Sequence, residues 1–79
     1  MPTYFLHLHE GGSVVEDEEG TTLADDRSAR RAAVRAARDV LAGAVQEGRL
    51  PLDDRIVVTD YAGRTVVSIT LGASVGHPG

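Results

Sequence analysis

The chain has 79 residues, which bounds it to one domain, since independent domains run from about fifty to a few hundred residues. It contains no cysteine, which excludes a disulfide framework, a thiolate zinc site, an iron-sulfur cluster and a cysteine nucleophile. Twelve acids against eight bases give a net charge of −4, a balance that argues against nucleic acid as a partner. That charge is unevenly spread. Residues 1–26 hold seven acids and no base, whereas residues 27–79 hold eight bases, all arginine, and five acids. Ten of the apolar residues are alanines, so the core is thin, and single cores in chains of this size contribute only about 3–5 kcal/mol.

Residues 3–9, Thr-Tyr-Phe-Leu-His-Leu-His, alternate in the two-residue period of a strand. Tyr4, Leu6 and Leu8 fall on one face; Phe5, His7 and His9 fall on the other. The longest apolar run here, Tyr4-Phe5-Leu6, is stopped by His7 and has no basic segment before it, which points to a cytoplasmic protein with no secretory leader or membrane span. Glu10-Gly11-Gly12-Ser13 is turn chemistry, and Val14-Val15-Glu16 can return as a short second strand. Asp17-Glu18-Glu19-Gly20 is an acidic loop, and Thr21-Thr22-Leu23 leads toward a helix.

Asp25 or Asp26 suits an N-cap, where a carboxylate accepts from otherwise unpaired amides and matches the helix dipole. From Arg27 to Glu47 the residues favour helix apart from Gly43. Ala29, Ala33, Val34, Ala36, Ala37, Val40, Leu41, Ala44 and Val45 occupy one half of the helical wheel, and Arg27, Arg31, Arg35, Arg38, Asp39 and Gln46 the other. Arg30 sits inside the apolar arc, near the helix start, where a long side chain can snorkel outward. Gly48 and Pro51 mark the end of the helix. Residues 55–60 and 65–71 are rich in β-branched side chains and flank Tyr61-Ala62-Gly63-Arg64, the strongest hairpin signal in the chain. Residues 72–79 show no pattern and are expected to form a flexible C-terminal tail on a domain spanning 1–71.

This order predicts an α+β, two-layer ββ-α-ββ architecture, a four-stranded and mainly antiparallel sheet with one long helix on a single face. Tyr4, Leu6, Leu8, Ile56, Val58, Val67, Ile69 and Leu71 should meet the alanine-rich stripe of the helix. The opposite face is then open and carries Thr3, Phe5, His7, His9, Val57, Thr59, Val66, Ser68 and Thr70, a mixture too polar for a core and too apolar to ignore.

The opening Met1-Pro2-Thr3-Tyr4-Phe5-Leu6-His7-Leu8-His9, the Asp17-Glu18-Glu19-Gly20 loop followed by Leu23, the Ala29-Arg30 pair and the Asp60-Tyr61-Ala62-Gly63-Arg64 turn together resemble a family of short bacterial proteins. Members, commonest in alphaproteobacteria, open with a Met-Pro-x-Tyr-Phe-Phe-like strand and constitute a domain of unknown function. The resemblance covers residues 1–71 and implies no activity and no catalytic residue. Leu6 stands where the family usually has a second Phe, and Glu10-Gly11-Gly12 replaces its usual Asp-Gly turn.

Three surfaces are candidates for function. The open sheet face, with Phe5, His7, His9, Val57, Thr59, Val66 and Ser68, suits a protein interface. The loop acids Glu16, Asp17, Glu18 and Glu19 lack the alternating ligands and central glycine of a calcium loop and read first as a solubilising loop, or else as a mimic of a phosphate backbone. Arg27, Arg31, Arg35 and Arg38 form a basic helix face, a solvated stripe before it is a phosphate site. His7 and His9 could place two imidazoles beside one metal ion, but the local sequence supplies no third ligand, so no metal and no cofactor is expected. Ser13, Ser28, Ser68 and Ser74 sit in no nucleophile-elbow pattern, and no phosphate-cradling loop is present. The expectation is a non-enzymatic protein-interaction module, binding itself as a homodimer or another chain through the open face or a strand edge. The alternative is a compact acidic inhibitor of nucleic-acid machinery, phage-derived anti-CRISPR or antitoxin-like, acting through the acidic loop.

Overall fold

The computed structural model describes residues 1–77. Seven elements follow in chain order: β1 (Thr3–Glu10), β2 (Ser13–Val15), β3 (Thr21–Thr22), α1 (Asp26–Gln46), β4 (Arg55–Asp60), β5 (Thr65–Thr70) and α2 (Leu71–Ser74). The fold is α+β, with an open antiparallel sheet in the order β2-β1-β4-β5 and one main helix against it. The fifth strand, β3, is an addition to the expected four. Its two threonines, expected only to lead into the helix, pair with Thr3 and Tyr4 along the same edge of β1 that β2 occupies further on.

The alternation of β1 places Tyr4 in the core and packs Leu6 and Leu8 against it. In register, Leu6 lies opposite Val58 and Leu8 opposite Ile56, which in turn lies opposite Ile69, so the apolar sides of three strands share one face. On α1, Ala29, Ala33 and Ala37 are wholly buried. Alanine at these positions lets the helix backbone approach the sheet closely, at the expense of apolar area per residue. The helix begins at an N-cap as expected: Asp25 accepts from the Ser28 N–H at 2.8 Å. It ends before Gly48, whose φ of 81° is the left-handed conformation of a C′ glycine.

The main helix, α1, packs against β4 and β5 more than against β1. Because Tyr4, opposite Asp60 at the end of β4, donates to Asp26 at the start of α1, the helix starts beside the C-terminal end of β4. Ala36 and Val40 pack against the core cluster, while Arg38, Leu41, Ala42 and Val45 border the segment after α2. Val45, expected within the apolar half, is 53% exposed.

Two other expectations are corrected. Between Val58 and Thr59 the ladder shifts by one residue, so that Val58 pairs with Val67 and Thr59 with Thr65. Val66 is the extra residue of this bulge and packs against the core cluster in place of the open face. The region expected to be a pattern-free tail starts with a turn of helix. Thr70, on the open face as expected, also caps it by accepting from the Ala73 N–H at 3.1 Å, and Leu71 and Ser74 are fully buried. Backbone bonds Leu71 N–H to Asp54 O and Gly72 N–H to Leu52 O continue the β4–β5 pairing past the strand end. Arg38 then donates to the carbonyls of Ser74 and His77, holding residues 71–77 alongside α1. Residues 78–79 of the expected tail lie outside the described residues.

Candidate protein-interaction surface

The face of the sheet away from α1 is built in rows fixed by the register. Val14, His9, Arg55 and Thr70 form one row, His7, Val57 and Ser68 the next, and Phe5, Thr59 and Thr65 the third. No helix crosses this face among the described residues, and Phe5, His7, His9, Val57 and Thr59 are all half-buried. Val14, which sequence reasoning left off the surface, belongs to it because β2 pairs Val14 with His9. Ser68 accepts from the Arg55 guanidinium at 2.9 Å.

His7, in the second row, contacts both Phe5 and Thr59 of the third. Its ring stacks on Phe5, with centroids 6.5 Å apart and planes 9° from parallel. Nδ1 accepts the backbone N–H of Asp17 at 3.2 Å, and Nε2 lies 3.0 Å from Thr59 Oγ1. A donor facing Nδ1 requires its lone pair, so the neutral ring carries its proton on Nε2 and donates to Thr59. This is the reverse of the tautomer a general base needs beside a hydroxyl. Both ring nitrogens are thus engaged, and His7 and His9 do not present two lone pairs to a common ion. Among the described residues, no three His, Asp or Glu side chains gather where a metal could sit.

The acidic loop and the sheet face, distinct in the sequence, meet at Asp17. One carboxylate oxygen accepts the N–H of Leu6 at 3.1 Å, and the other accepts those of Glu19 and Gly20 at 3.2 and 3.1 Å. Leu6 lies in the stretch of β1 between the residues paired to β2 and those paired to β3, so the carboxylate takes the place of a strand partner there. Burial pushes the Asp17 carboxyl upward, but the bonds from Gly20, Leu6 and Glu19, with His7 nearby, outweigh it and leave the group below its ordinary range. Gly20 is required by this arrangement: with φ of 76°, a Cβ there would come within 2.9 Å of the Phe5 ring and 2.8 Å of Thr3. Glu16, Glu18 and Glu19 remain exposed.

The arginine stripe divides similarly. Arg27, Arg31 and Arg35 are exposed on the outer side of α1, whereas Arg38 is turned to the C-terminal segment. The described residues contain two ion pairs, Arg49 with Glu47 and Arg64 with Asp60, and neither joins the acidic loop to the arginine stripe. Beside Arg38, the β5 side of α1 and the segment after α2 enclose an open apolar groove of about 600 Å³ lined by Leu41, Ala42, Val45 and Val75. Sequence reasoning missed it. Val45 and the isolated Val75, 53% and 66% exposed, were its only sequence signals, one at the margin of the helical arc and the other in a stretch without pattern.

Residues 3–72 match the family described as Domain of unknown function (DUF6894). The chain belongs to the DUF6894 family. The matched span runs from the first residue of β1 into α2, so the whole sheet, α1, the Asp17 loop and the buried Leu71 fall within the DUF6894 region. No curated protein and no solved structure matches the chain. Among the described residues no helix is long and apolar enough to cross a membrane.

Proposed function

We propose that this chain is a small, non-enzymatic, cytoplasmic protein-interaction module, binding a second copy of itself or another chain through its open sheet face or an exposed strand edge. The observation that carries this reading is a sheet covered by α1 on one face only among the described residues, with His9 and Val57 half-buried and Val14 exposed on the other. The tautomer of His7 supports the non-enzymatic part, because the imidazole nearest a hydroxyl is turned the wrong way to activate it. Replacement of Val57 and Val14 by glutamate tests the reading directly. Partners retained by the wild-type chain from its host should be lost by the double variant with the fold intact by circular dichroism. Full retention of every partner by a folded double variant removes the open face from the reading.

A second reading has its own support. Asp17 anchors the loop, and Glu16, Glu18 and Glu19 are presented from it without an ion-pair partner among the described residues. That arrangement suits a compact acidic inhibitor of nucleic-acid machinery, phage-derived anti-CRISPR or antitoxin-like, docking on a basic surface. Exchange of these three glutamates for glutamine should then abolish a salt-sensitive interaction that Val57→Glu leaves untouched.

A further inference from the structure

The strand β5 ends the sheet, and the described residues place no strand on its outer side. The Leu71 N–H points inward to Asp54, so by the two-residue alternation of an antiparallel ladder Val67 and Ile69 also direct their backbone groups to β4, while Ser68 directs its N–H and C=O outward. Residues 65–70 contain no charge and no proline, the usual devices that discourage edge pairing, and only the bulge at Val66 interrupts the strand. On the same side of the molecule the apolar groove of Leu41, Ala42, Val45 and Val75 lies open.

We propose that the bare β5 edge and this groove form one surface whose occupant is a second copy of the chain, the two β5 strands pairing antiparallel about a two-fold axis at Ser68. This inference rests on the interaction reading above and assigns it a partner. The axis makes the surface self-complementary. Ser68 exchanges both backbone bonds with its own copy, and Val67 of one chain lies opposite Ile69 of the other on the helix side. The two grooves, related by the same axis, then face each other beside α1. Charge favours this orientation over others. Glu10 at the end of β1 and Glu16, Glu18 and Glu19 in the loop after β2 lie toward the opposite edge of the sheet, so joining at β5 keeps these acids of two copies of a chain with net charge −4 far apart. The contact is small: α1 runs about 30 Å along this side and the molecule is 16 Å through its thinnest direction, a face below the ~800 Å² per partner of a standard interface, which places the dimer among weak associations.

Sedimentation and light scattering on the full chain from micromolar to millimolar concentration test this. The expected result is a dimer of twice the 8.3 kDa chain that salt does not dissociate, because the charges near its centre, Arg55 on Ser68 and Arg38 at the groove, are of like sign and screening relieves their repulsion, with the Ser68 amide exchanging more slowly as the dimer fills. Val45→Glu and Val75→Glu, both at exposed positions that leave the monomer core untouched, should each weaken the dimer about tenfold or more, as should Ser68→Pro, whose lost N–H takes no part in the monomer ladder; should the proline variant fail to fold, the two glutamate variants decide. Val57→Glu should leave the dimer unchanged. A monomer at every concentration, or a dimer that survives both groove variants or is lost to salt or to Val57→Glu, overturns the proposal. The interaction reading is separable from it, since a monomeric chain whose foreign partner is lost on Val57→Glu keeps that reading while the β5 dimer is gone.

Discussion

The two edges of the sheet are finished in opposite ways. Along β1 the chain closes its own edge: β2 and β3 pair at either end, and between them the Asp17 carboxylate accepts the Leu6 N–H. Along β5 nothing comparable is present among the described residues, and the chain instead turns into α2 and packs Leu71 and Ser74 beneath α1. The first edge is stabilised by hydrogen bonds to one carboxylate, the second by burial of an anchor just past the strand. An edge closed by polar contacts should be sensitive to pH and tolerant of lost volume. An edge secured by burial should show the opposite behaviour.

The largest difference should come from Leu71→Ala. Its side chain is fully buried in the core cluster, and truncating a buried leucine costs about 2–5 kcal/mol, on the order of the entire net stability of so small a core. Chemical denaturation should find this variant largely unfolded; a loss well under ~1 kcal/mol would mean that the residues past β5 do not belong to the cooperative unit. At the other edge, Asp17→Ala leaves Leu6 with an unpaired donor and removes the turn bonds to Glu19 and Gly20. A cost of about 1–3 kcal/mol is expected, with faster hydrogen exchange at Leu6, Glu19 and Gly20 and no change at Val67 or Ile69.

Acid should separate the two edges without mutation. The Asp17 carboxyl titrates below its unfolded value near ~3.9, so its contribution is whole above that value and is lost as pH falls through the lower folded one. Protection of the Leu6 amide should therefore fall in strong acid before that of Ile69, and Asp17→Asn should remove this part of the acid dependence. Alkali acts on Tyr4, whose phenol donates to Asp26 at 2.7 Å. That bond, followed by burial and the surrounding carboxylates, raises its pKa from 10.0 to about 12. The stabilisation is present below 10.0 and disappears as pH rises through about 12, which absorbance titration of a Tyr61→Phe variant should reveal as late ionisation of the remaining tyrosine. The smallest effect belongs to Arg31→Gln and Arg35→Gln. Both are exposed and outside any ion pair of the described residues, so stability should change by no more than ~0.5 kcal/mol.

Much of the fold was legible where a short-range rule applies. Alternation assigned Tyr4, Leu6 and Leu8 to the inner face, the Asp25 cap and Gly48 bounded α1 to within a residue or so, and the hairpin around Asp60 and Arg64 followed from turn chemistry. Asp60 accepts from the Ala62 and Arg64 amides there at 3.0 and 2.9 Å. The failures occur where a residue's partner is distant or where one insertion changes a face. Val66 left the open face because the bulge adds a residue to β5 that alternation has no means of counting. β3 has two residues, too few for any periodicity, and exists only because β1 passes beside it. The start of the supposed tail became a packed segment, because Thr70 caps a turn of helix at the strand end, Ser74 is buried and Arg38 is within reach of the carbonyls of Ser74 and His77.

The candidate site was legible to a lesser degree. Phe5, His7, His9, Val57, Thr59 and Ser68 do share the open face, because side-chain direction in paired strands follows local periodicity. Their chemistry did not follow from it. Asp17 reads in the sequence as one of four adjacent acids, and only folding makes it a strand partner that also holds His7 in one tautomer, since the bonds span 10 and 11 residues of chain and depend on the loop closing over Gly20. By itself, then, the sequence determined the helix, the strands that alternate and the face each side chain takes, all consequences of backbone period and local capping. The tertiary structure alone decided which edge is closed and which is bare, where the helix lies across the sheet, and which acid is structural, because those depend on contacts between residues that the chain separates and only packing brings together.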